Sequence, residues 1–293
     1  MFSSRWLYAL ILAIDANFRL KNKCRRIRND PALGDGWGHW VPEKPYQAYI
    51  KKYGYQQEVS VLSLFFKQFN LDIHGLQPNL CDSDLHAIDH ANKNASAKYR
   101  STGVGAVVCA RHGLVRKNGI GDLQKGERLV GFCFVWQHIL TAYSYANMDF
   151  ILFYTLIGIQ ILLLILSYDI ICQWCRNLRK RMSQFPTFMH LSEVILSSIS
   201  FVIPKFHIYA HGKSCQFRYS LNLKKWAARI NGEDIERWWA HINPASMSTK
   251  EMGPGARQDT IDDHAVAWNW RKITGFGMYM CYMCGDYQLM CFC

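Results

Sequence analysis

An α/β fold, with helices packed on a sheet, is the class this sequence predicts, and three observations carry that prediction. Two apolar runs, Trp6 to Ile14 and Ile151 to Ser167, are each followed within two residues by an aspartate, Asp15 and Asp169. A buried parallel strand that ends in a carboxylate has this form. Stretches of helical spacing lie between and after such runs, as in strand-helix alternation. The chain has 293 residues, of which 50% are hydrophobic and 14% aromatic, so it can bury a sizeable core and is too apolar for disorder.

Taken in order, residues 1–14 read as a strand. Residues 15–58 are polar and broken by Pro31, Gly34, Gly36, Gly38, Pro42 and Pro45. Residues 59–74 suit an amphipathic helix, and 78–101 read as irregular. Val104 to Ala110 is a short strand, and 113–128 a charged, Gly-rich loop. The run within 149–168 reads as a core strand. Ile170 to Met182 has helical spacing, and Leu191 to Val202 is a second apolar segment. Residues 221–243 suit a helix broken at Asn231-Gly232, and 244–263 a loop.

Lys and Arg outnumber Asp and Glu by 34 to 22, a net charge of +12. That surplus points to a polyanionic partner, nucleic acid or an acidic membrane face. Basic residues cluster at Arg19 to Arg28, Arg176 to Arg181 and Lys213 to Arg229. The 11 cysteines are odd in number and form no framework of the small secreted kind, so reduced thiols are expected. The uncharged run 151–167 touches the lower limit for a membrane span, and its basic flank suits one. The twin pattern of run and aspartate favours core strands instead.

Asp15 and Asp169 carry the first chemistry. On parallel neighbouring strands their carboxylates would stand together at the carboxyl edge of the sheet, where α/β proteins form ligand sites. Paired carboxylates repel each other and favour a divalent cation. A third carboxylate from a helix would complete a two-metal phosphoryl-transfer site, and Glu233 and Glu236 are placed to supply it. The competing reading makes each Asp a cap and each Glu a partner of the helix dipole. His207 and His211 are spaced i, i+4, with Cys215 at i+8. On one helix the three would share a face. With the C-x-x-H pair Cys109 and His112 they suggest a zinc site, against buried cysteines and surface histidines. Cys172-x-x-Cys175 reads as core packing, and the tail pairs Cys281-x-x-Cys284 and Cys291-x-Cys293 are weak zinc patterns.

Several strings in order carry a resemblance. They are Asp15-Ala-Asn-Phe-Arg-Leu20, Cys109-Ala-Arg-His-Gly113, Asp122-Leu-Gln-Lys-Gly-Glu-Arg128, Ser167-Tyr-Asp-Ile-Ile-Cys-Gln-Trp174 and Ile203-Pro-Lys-Phe-His-Ile-Tyr-Ala-His211. Asn231-Gly-Glu-Asp-Ile-Glu-Arg237, Ser248-Thr-Lys-Glu-Met-Gly-Pro-Gly255 and Asp259-Thr-Ile-Asp-Asp-His264 with Trp268-Asn-Trp270 complete the set. Together they resemble the Kyakuja-Dileera-Zisupton (KDZ) transposases, abundant in mushroom-forming fungi, over roughly residues 12–128 and 147–277.

The resemblance implies an RNase H-like, retroviral integrase-like catalytic core with helical insertions. It implies a D-D-E triad of Asp15, Asp169 and Glu236, with Glu233 as the alternative third member. Mg2+ or Mn2+ at a two-metal site would serve cleavage and transfer of DNA strands. The histidines His207 and His211 resemble zinc-binding insertions of related transposases, with Cys109 and His112 as the inferred partners. DNA, a nuclear location and a homo-oligomer follow as expectations, and a membrane does not.

The match is uneven. Residues 1–277 read as a catalytic region incomplete at both ends. Residues 129–146 form an atypical apolar insert, read as a retained intron, and 278–293 an atypical Cys- and Met-rich tail. A catalytically dead remnant that binds DNA or zinc is the main competing reading, and a membrane protein with a span near 151–167 the minor one.

Overall fold

The computed structural model describes residues 9–25, 30–53, 98–124, 145–225, 227 and 230–284. Its centre is a mixed sheet of six strands. These are β1 (Ala9–Asn17), β2 (Asn22–Lys23), β3 (Tyr99–Cys109), β4 (Leu114–Gln124), β5 (Leu163–Ser167) and β6 (Ser200–Val202). β1 is central, antiparallel to β3 on one side and parallel to β5 on the other. β3 carries both β2 and β4 antiparallel, and β6 continues the parallel half beyond β5. β1 sits in the core because Ile11, Leu12, Ala13 and Ile14 are all buried.

The long apolar run does not form one strand. It divides into helix α2 (Ala146–Tyr154), a turn and β5. α2 is apolar on every side, with Met148 and Phe150 to Phe153 all buried, as a helix enclosed by protein should be. Among the described residues no helix is long and apolar enough to cross a membrane. The single charge of α2, Asp149, is buried. It accepts from Trp174 Nε1 at 2.8 Å and pairs with Arg181 at 2.7 Å.

Two further readings of the sequence are corrected. Residues 113–128 were expected as a loop, yet 114–124 form β4. Its glycines mislead because they serve packing. Gly105 pairs with Gly121 across β3 and β4. A Cβ at Gly105 would stand 2.6 Å from Met148 Sδ, and one at Gly121 2.9 Å from Ile151 Cδ1. The missing side chains let α2 lie close on the sheet. Residues 244–263 were also expected as a loop, but they hold a short helix, α8 (Ser246–Thr249), and the start of α9 (Pro254–Cys284). α9 covers the open edge of β4, where Asn269 Oδ1 accepts from Val115 N and Asn269 Nδ2 donates to Val115 O, both at 2.8 Å. Buried Arg257 of α9 pairs with Asp122 of β4, which Arg100 also reaches at 2.7 Å.

The polar segment 15–58 contains α1 (Glu43–Tyr53), whose Tyr46 donates to Asp122 O at 2.5 Å. Past β5 come α3 (Ile171–Trp174), α4 (Leu178–Met182), α5 (Glu193–Ser198), α6 (Lys213–Tyr219) and α7 (Asp234–Ile242). Among the described residues, the helix expected over 221–243 is instead a short 3-10 turn (Leu221–Leu223) and α7. The amphipathic helix expected at 59–74 lies outside the described residues, as does most of the insert 129–146. α9 runs into the segment 278–293 as far as Cys284.

Candidate active site

The register of the two parallel strands builds the site. Ala13 of β1 pairs with Ser167 of β5. Two residues further along each chain come Asp15 and Asp169, so the carboxylates emerge level at the carboxyl edge. Asp15 lies inside β1 rather than after it, while Asp169 follows β5 by two residues.

α7 brings the third carboxylate. Its apolar positions Ile235, Trp238, Trp239 and Ile242 are spaced i, i+3, i+4, i+7 and all are buried, which fixes the helix against the sheet. Glu236 is in the first turn, three residues before Trp239 and so on nearly the same side. Trp239 Nε1 donates to Asp15 Oδ2 at 2.8 Å. The approach to α7 needs Gly232, whose φ is +82° and where a Cβ would stand 2.8 Å from Ser167 Oγ.

The electrostatics are those of crowded like charges. Burial, then the charges of Asp169 and Glu236, hold the Asp15 carboxyl well above the usual carboxylate range. Glu236 is raised by burial and by Asp169. Such a set favours protons or a cation. One internal cation is His207. Its Nδ1 lies 2.6 Å from Asp169 Oδ2 and its Nε2 3.7 Å from Glu233 Oε2. The hydrogen bond to Asp169, with the charges of Asp169, Glu233 and Glu236, outweighs burial and raises its pKa to about 9. Ligand atoms of Asp169, His207 and Glu236 all lie within 4.8 Å of one another. Glu233 faces the preceding loop, where its Oε1 accepts from Phe206 N at 2.9 Å.

All four predicted carboxylates therefore converge. The predicted zinc set does not. His207 and His211 flank a 3-10 turn (Ile208–Ala210) and share no helix with Cys215, which belongs to α6. His207 joins the carboxylates, whereas His211 joins Cys172 and Cys215, all within 4.8 Å. Burial holds the His211 pKa below its ordinary value. Cys109 Sγ and His112 Nδ1 stand 3.4 Å apart, but no group of three or more donors includes them among the described residues. Reading His207 only as a zinc ligand missed its place beside Asp169. A histidine lying in sequence between two distant acidic motifs gives no sign of which it will face. Trp239 was missed too, although its position on the helical stripe beside Glu236 was readable.

The family model for the Kyakuja-Dileera-Zisupton transposases matches residues 8–269. No curated protein and no solved structure matches the chain.

Proposed function

We propose, from the membership of this chain in the Kyakuja-Dileera-Zisupton transposase family, that it cleaves and transfers DNA strands on an RNase H-like core through Asp15, Asp169 and Glu236. The level emergence of Asp15 and Asp169 from parallel neighbours, with Glu236 closing on them, is the observation that carries this reading. The antiparallel strands continued through β1 into a parallel pair support the RNase H-like core.

The residues fit a divalent cation, because the charge of Asp169 raises the pKa of both Asp15 and Glu236, and the three carboxylates offer oxygen donors, the ligands Mg2+ and Mn2+ prefer. Asp15, Asp169 and Glu236 would hold it. When bound, the metal supplies Lewis acidity toward a phosphodiester and lowers the pKa of water. The chain's own part is positioning. The β1–β5 ladder fixes two carboxylates, the α7 stripe fixes the third, and Trp239 orients Asp15. Glu233, held by the Phe206 main chain, serves His207 rather than the metal. The net charge of +12 suits a DNA backbone. A nuclear location and action as a homo-oligomer belong to the same reading.

The test is nicking of supercoiled plasmid with Mg2+ or Mn2+. Asp169→Asn should abolish nicking and leave DNA binding in a mobility-shift assay. Equal nicking by the variant would overturn the triad. The second reading, a remnant that binds DNA without cutting it, is favoured by the contact of His207 with Asp169, which pairs one carboxylate without a metal. Binding without nicking by the unaltered chain would select it. The segment 129–146 is proposed as a retained intron or an eroded element; a sequenced message joining Arg128 to Asn147 would select the intron, and one that retains the segment the eroded element.

A further inference from the structure

Beside the carboxylate cluster lies a second set of donors of different chemistry. Cys172 comes from α3, His211 from the end of the 3-10 turn and Cys215 from α6. Three separate elements thus deliver one ligand atom each, all within 4.8 Å. Cys172 Sγ is 3.8 Å from His211 Nδ1. All three residues are buried, with exposures of 1%, 3% and 6%. A second contact ties the same region, since Cys175 Sγ lies 3.7 Å from Tyr219 Oη and so joins the end of α3 to α6.

Two thiols and an imidazole are donors for a borderline-soft ion, whereas the neighbouring oxygens suit hard ones. The two sets would therefore sort their ions by chemistry. We propose that Cys172, His211 and Cys215 hold a zinc ion that pins α3 and α6 to the turn between His207 and His211. Binding converts both thiols to thiolates, releases two protons and uses the neutral imidazole. Three protein donors leave the fourth tetrahedral position to water. With every donor buried, the ion is out of reach of a DNA phosphate, which assigns it a structural part.

The position gives the ion leverage on the carboxylates. Cys172 follows Asp169 by three residues, and His211 closes the turn that His207 opens. The strand end that carries Asp169 and the His207 ring beside it are thus anchored at one point. That consequence rests on the proposed nuclease reading; the binding of zinc does not.

The experiment is metal analysis of the purified, desalted chain, followed by cobalt titration of the stripped protein. About one zinc per chain is expected, together with a thiolate-to-cobalt charge-transfer band. Cys172→Ser and Cys215→Ser should each lose the zinc, and Cys215→His should keep it with a weaker cobalt band, because imidazole replaces one thiolate. Cys109→Ser should keep both. Should the serine variants fail to fold, the cobalt spectrum of the unaltered chain decides. Absence of the thiolate band overturns the site, as does zinc that survives in Cys172→Ser and Cys215→Ser but leaves with Cys109→Ser. Asp169→Asn should hold its zinc, so loss of nicking with zinc retained separates the catalytic reading from this one.

Discussion

Two acidic centres sit on the same sheet and are compensated in opposite ways. Around Asp122 the cations suffice: Arg257 is fully buried against it and Arg100 adds a second contact. Arg257 Nη2 donates further to Leu20 O at 2.8 Å. This centre ties α9 and β4 together, its acid paired with two guanidinium groups. Around Asp15 and Asp169 the acids exceed the cations. Asp169, Glu233 and Glu236 share one histidine, His207, and Asp15 and Glu236 are driven up in pKa. A folded chain that leaves like charges crowded at a strand edge retains a cost that a ligand can relieve. The deficit in positive charge, rather than the presence of acids, separates the candidate site from the structural one.

The comparison breaks most sharply on single substitutions. Asp169→Asn should cut metal-dependent nicking by more than ~100-fold, since even outer-shell partners of a metal are worth 10–100-fold. Its fold should survive, as judged by circular dichroism. Arg257→Met should do the reverse. It strands Asp122 without its buried partner and should cost about 3–5 kcal/mol in urea unfolding, lowering the yield of folded protein while any residual folded fraction still nicks.

Next in size is a pH effect. His207 is raised to about 9 from an ordinary 6.5, so its pairing stabilises fully below pH 6.5 and is lost as pH rises through about 9. Asp15 and Glu236 are also raised, which adds to the same direction: stability falls with rising pH. Unfolding midpoints should thus drop between pH 6 and pH 9.5, and His207→Gln should flatten that slope. Mg2+ should recover more stability at the higher pH, where the carboxylates are ionised and His207 is neutral. A slope unchanged in the variant would remove His207 from the balance. The smallest effect is expected from Glu233→Gln, which should lower nicking only a fewfold, whereas Glu236→Gln should match Asp169→Asn. Reversed results would exchange the two glutamates.

Much of this site was legible in the sequence because it depends on pattern. An apolar run followed by an aspartate predicts a buried strand with a carboxylate at its end, and two such runs predict a pair. The helix behind Glu236 was legible in the stripe Ile235, Trp238, Trp239 and Ile242. What remained hidden depends on packing between distant segments. The glycines of β4 read as loop because a single chain cannot show that Gly121 makes room for Ile151. The run at 151–167 read as one strand because its periodicity is erased where both a helix and a strand are wholly enclosed. His207 and His211 read as a pair because i, i+4 spacing assumes a helix, and Pro204 begins a turn instead.

The central position of β1 has a consequence for how the chain is made. Its two neighbours come from residues 99–109 and 163–167, so neither ladder can close until much of the protein has left the ribosome. At ordinary synthesis rates the wait for β5 is on the order of ten seconds. Through that interval an apolar strand bearing Asp15 is finished but has no parallel partner, a state in which exposed edges join other chains. The acidic edge is therefore among the last features to assemble during translation, and slower synthesis over 99–167 should lower the soluble yield before it touches any chemistry.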